Sequence, residues 1–207
     1  GWNGFAVLHD AAARVGALDI GFVPGRDGLA TAYMLAPGAL DVLVLLGADE
    51  MALPPRGQGT VIYIGSHGDA GAHRADIFLP GAAYTEKSAT YVNTEGRVQQ
   101  TNRAVFPPGE AKEDWTIFRA LAPLLGVDLG FDTLGQLRAR LYRELPHLAR
   151  LDAILDGDVG DVRRLGRLPG RARNAALHAG VADLYLTNPT SPASATMAQG
   201  SPHPSRL

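Results

Sequence analysis

Asp41 to Leu46 is a short, unbroken apolar run, D-V-L-V-L-L, closed by Gly47. A run of this length without polar alternation predicts a strand covered on both faces, as in a parallel sheet. Val61–Ile64 is a second such run, and Ala75–Leu79 a third, stopped by Pro80. Apolar positions at Phe5, Leu8, Ala12 and Val15 have helical spacing and predict a helix over 5–15, broken by Gly16 and Gly21. Gly25-Arg26-Asp27-Gly28 and Pro37-Gly38 read as turns. Met51 to Thr60, with Pro54-Pro55, reads as connection.

Downstream, Trp115, Phe118, Leu121, Ala122 and Leu125 form one apolar stripe, predicting a core-packed helix over 111–125. Glu110, Glu113 and Asp114 favour its start, Pro123 should kink or end it early, and Gly126 stops it. Thr133 and Gln136 have capping-box spacing for a further helix ending before Pro146. Past Asp156 the periodicity fades. Residues 157–173 are rich in Arg and Gly, and 190–207 in Ser, Pro and Ala, as in a mobile tail. Buried strands between helices predict an α/β fold with an open, mostly parallel sheet. Three segments follow: an α/β domain over 1–130, a helical extension over 131–156, and an irregular arginine-rich linker and tail over 157–207.

Composition narrows the chemistry. The 207 residues contain no cysteine, which excludes disulfides, thiolate zinc sites and ordinary iron–sulfur ligation within this chain. The net charge of −2 argues against a broad nucleic-acid surface. No apolar run reaches the 18 or so residues of a membrane span. The opening Gly1-Trp2-Asn3-Gly4 reads as a chain entered partway through a longer protein.

Several polar groups invite a chemical reading. Gly65-Ser66-His67-Gly68-Asp69 follows the second strand at its carboxyl end, where open α/β sheets place ligands. His67, Asp69 and His73 could ligate a metal, or the loop could be a turn whose side chains bond locally; the turn is favoured because no fixed ligand spacing backs a metal. A phosphate held by its backbone N–H groups is a weaker reading. Asp49 and Glu50 could do acid/base work, but such a pair more often ends a strand and faces water. Arg138, Arg140 and Arg143 read as a solvated or partner-facing helix side. No serine elbow or cysteine nucleophile is present, so no catalytic residue is assigned. The dense polar run Asn93, Thr94, Glu95, Arg97 and Gln99 either binds something polar or locks neighbouring backbone.

The run A-D-I-F-L-P-G-A-A-Y-T-E-K-S-A-T-Y-V-N-T-E-G-R-V-Q-Q, from Ala75 to Gln100, closely resembles the large iron–sulfur subunit of respiratory complex I. Its looser form, A-D-x-x-L-P followed by N-T-E-x-R-x-Q, is shared with the molybdopterin oxidoreductases. Leu45 to Glu50, Gly109 to Leu121 with Glu113-Asp114-Trp115, and Tyr185 to Pro189 with Ala193 to Ala198 agree with the same family. The chain departs from it at Ser191-Pro192, at Gln199-Gly200 and over 157–173.

The resemblance implies a molybdopterin-oxidoreductase-like domain serving as a cofactor-free scaffold in NADH:quinone oxidoreductase. Iron–sulfur clusters are then expected in an amino-terminal part of the parent subunit, outside this chain. Asn93, Thr94, Glu95, Arg97 and Gln99 would be a vestigial pocket. It further implies other peripheral-arm subunits as partners and no membrane insertion. The expected location is the cytoplasmic side of the bacterial inner membrane, or the matrix side in a mitochondrion. The alternative is a molybdopterin-binding oxidoreductase domain, with Asn93, Thr94 and Arg97 contacting the pterin.

Overall fold

Three parallel strands form the main sheet: β1 (Val42–Leu46), β2 (Thr60–Gly65) and β3 (Ile77–Pro80), in spatial order β1-β2-β3. The computed structural model describes residues 9, 11, 13–49, 51–68, 70–155, 157–170, 174–176, 183, 185, 190–191 and 193–201. Register pairs Val44 with Ile62 and Ile62 with Ile77. Leu45, Val61 and Tyr63 point to one side, where Leu43, Ala48, Met51, Leu53, Ala72 and Ala75 pack against them. Tyr63 is fully buried and stacks on Phe78 with ring centroids 5.6 Å apart.

The other side is covered at Ile64, which is fully buried, but open along β1 and at the start of β3. Val42, Val44, Leu46 and Ile77 are each about half exposed, at 53%, 45%, 51% and 46%. The expectation of a first strand covered on both faces is therefore corrected. β1 is an edge strand of this sheet, and its odd side chains alone reach the packed face. β3 begins two residues later than the apolar run and includes Pro80, which pairs with Gly65 at the strand's end.

A second unit surrounds a β-hairpin, β4 (Thr90–Val92) and β5 (Val98–Gln100), paired antiparallel. Val92, Val98 and Leu148 are its core, flanked by Val15, Leu141, Tyr142 and Leu145. Helix α1 (Arg14–Asp19) packs here, with Gly16 lying against Val92. Gly16 therefore sits inside the helix rather than breaking it. Most of the expected helix over 5–15 lies outside the described residues. A short α2 (Thr31–Met34) precedes β1, and α3 (Ala70–Arg74) joins β2 to β3.

Helix α4 (Asp114–Leu124) tolerates Pro123 in its last turn, and Gly126 closes it at φ +71°. Its predicted core stripe is only partly covered. Ala122 is buried and Trp115 partly so, but Phe118 is 37% and Leu125 76% exposed. Helix α5 (Leu134–Glu144) starts at the expected capping box: Gln136 N–H donates to Thr133 Oγ1, and Thr133 N–H to Gln136 Oε1. A 3-10 turn, Pro146–Ala149, follows.

Among the described residues, the stretch read as irregular holds two short α-helices. α6 (Val159–Leu165) is capped by Asp158, and α7 (Ala195–Gly200) by Ser194. Both caps satisfy first-turn N–H groups through a side-chain oxygen, so short segments gain helix starts that periodicity does not reveal.

Candidate functional site

The carboxyl ends of β1 and β2 bring the Asp49 and Gly65–Gly68 loops together. Gly47 turns the chain after β1 at φ +58°. Asp49 then reaches across to α3. Its Oδ1 accepts from Gly71 N–H in a short bond and from Ala72 N–H at 3.3 Å. Asp49 is 5% exposed, so the water-facing reading of this residue is corrected: it caps a helix from a buried position. Glu50 lies outside the described residues. Gly71 is required here, since a Cβ would sit 2.5 Å from Asp49 Oδ1.

The loop itself is tied down from below. Tyr63 Oη donates to the His67 carbonyl at 2.5 Å, and Ser66 Oγ lies 3.1 Å from His67 Nδ1. A Cβ on Gly68 would collide with Ala72 at 2.2 Å. His73 is exposed, and its carbonyl accepts from Arg56 at 2.7 Å. Asp69 lies outside the described residues. Among the described residues no three His, Asp or Glu side chains converge to hold a metal. What this loop holds is its own backbone.

Arginines clamp the base of α3. Arg74 Nε donates to the Pro54 carbonyl at 2.6 Å, Nη2 to Pro55 at 2.9 Å, and Nη1 lies 3.2 Å from Asp76. Asp76 also accepts from Val61 N–H at 2.9 Å. That backbone bond, then the Arg74 bond, and the charges of Arg74 and Arg56 hold the Asp76 carboxyl below the usual aspartate range. Of the helix arginines, Arg140 bridges Glu144 at 2.8 Å and the Leu129 carbonyl at 2.7 Å, while Arg143 is 73% exposed. Arg138 is only partly exposed, and its Nε and Nη2 are buried. The solvated reading therefore suits Arg140 and Arg143 but not Arg138.

The polar run after β4 is a hairpin turn. Asn93 Oδ1 accepts from Glu95 N–H and Arg97 N–H, each at 3.0 Å. Asn93 Nδ2 points to Glu95 Oε2 at 3.4 Å, and Gly96 takes φ +81° to close the turn. Arg97 Nη1 donates to the Asp152 carbonyl at 2.9 Å, and its Nη2 lies 3.6 Å from Glu95. Thr94 and Gln99 are exposed beside them. Of the expected pocket residues, the turn thus brings Asn93, Glu95 and Arg97 together and turns their polar atoms inward on one another.

A family model for molybdopterin oxidoreductases matches residues 1–123. The chain belongs to this family. It is 40% identical over 198 residues to the NADH-ubiquinone oxidoreductase 75 kDa subunit of Reclinomonas americana, covering 96% of this chain and 28% of that protein. Against the mitochondrial 78 kDa subunit of Neurospora crassa it is 42% identical over 205 residues, covering 96% of this chain and 26% of that protein. The mitochondrial 78 kDa subunit of Candida albicans is 48% identical over 156 residues, covering 74% of this chain and 20% of that protein. The chain spans about a quarter of the length of these relatives.

The family name implies a pterin whose phosphate is anionic. The residues at Asn93–Gln99 do not fit it. A cradle for such a group needs donors left free and positive charge nearby. Here Asn93 bonds within its own turn, Arg97 is held by Asp152 and Glu95, and Glu95 adds a carboxylate that is 58% exposed. A shallow dent, open to solvent and with room for little more than a water, lies at the opposite, amino ends of β1 and β2. Met34, Leu40, Leu43, Pro54 and Val61 line it with no charged side chain.

Proposed function

We propose that this chain is a structural, cofactor-free part of the large subunit of NADH:quinone oxidoreductase. It supports electron transfer from NADH to quinone by shape and contact, while iron–sulfur clusters outside this chain carry the electrons. The observation that carries the reading is the inward bonding of Asn93, Glu95 and Arg97, which spends on the turn the groups a pterin would need. The similarity to the 75 and 78 kDa subunits supports the same assignment. So does the half-exposed aliphatic face of the sheet, which suits a piece that packs against more protein. Other subunits of the peripheral arm are its partners on this reading. Among the described residues no helix is long and apolar enough to cross a membrane.

The test is a pterin assay on the purified complex containing the full-length subunit. Acid oxidation and fluorescence should return no stoichiometric pterin while NADH:quinone reductase activity is present. One pterin per complex would overturn the proposal and restore the molybdopterin-binding alternative.

A further inference from the structure

We draw no further inference here: the strongest candidate, the outer edge of β1, which is unpaired among the described residues and carries the half-exposed side chains of Val42, Val44 and Leu46, supports nothing more because nothing in the structure shows what covers it.

Discussion

Asp49→Ala is the most direct test of how this fold is held. The carboxylate spans from the end of β1 to the start of α3, where it accepts from Gly71 and Ala72 N–H groups. Removing a side-chain cap costs about 1 kcal/mol. Leaving a buried N–H without its acceptor adds about 1–3 kcal/mol, and Gly71 is buried. The sum is about 3 kcal/mol. With a urea slope of about 2 kcal/mol per molar, the unfolding midpoint should fall by about 1.5 M. Asp49→Asn keeps an oxygen in place and loses only the charge assistance, so its cost should be about 1 kcal/mol. Urea unfolding followed by tryptophan fluorescence measures both. An alanine variant within 0.5 kcal/mol of the parent would refute the capping account. A tenfold loss of electron-transfer rate in a stable Asp49→Asn variant would instead favour acid/base chemistry at this carboxylate.

Gly59→Ala should cost at least about 3 kcal/mol by urea unfolding, since Gly59 has φ +91° and a Cβ would lie 2.3 Å from the Leu40 carbonyl. Arg74→Met should cost about 2–4 kcal/mol, because it strips two carbonyl partners and Asp76 from a side chain only 11% exposed. Trp115→Ala should cost about 3 kcal/mol, and Phe118→Ala, 37% exposed, about 1 kcal/mol; equal losses would refute the described orientation of α4. Asp76 has a depressed folded-state pKa, so its stabilisation is full above the ordinary carboxylate range and fades as pH falls below about 4. Glu144, lowered first by its hydrogen bond from Arg140, acts in the same direction. Acid titration of the urea midpoint should therefore show a shallower fall in Asp76→Asn than in the parent.

Local rules wrote much of this fold into the sequence. Three apolar runs became the three parallel strands, and Thr133 with Gln136 became a capping box. These signals are short-range, so a single segment carries them. Coverage is a different matter. The strand at Val42–Leu46 looks doubly buried from its side chains alone, yet which face is covered depends on what packs there from far along the chain. The same reason makes Asp49 look like a water-facing strand end, since its partner lies 22 residues away, where Gly71 makes room that only the assembled loop requires. The α6 and α7 segments were missed because an Asp or Ser cap, with barely two turns of helix behind it, leaves too few residues for a period to show.

A cradle for a ligand and a lock on the backbone use the same residue types. Asn, Glu and Arg close together can recognise a ligand or satisfy a turn, and composition is blind to the difference. Hydrogen-bond accounting separates them. A cradle must hold donors in reserve until the ligand arrives, at a cost while empty. A lock spends its main donors and acceptors inside the fold. In the Asn93–Arg97 turn one amide oxygen takes two backbone N–H groups, and the guanidinium reaches across to residue 152, fastening the hairpin to the segment after α5. Arg97→Lys would therefore loosen that fastening with no pterin involved. Faster amide exchange at Val98 and Asp152, whose N–H donates to the Val98 carbonyl at 2.8 Å, would report the loosening directly. Unchanged exchange there would mean that Arg97 is free for another task.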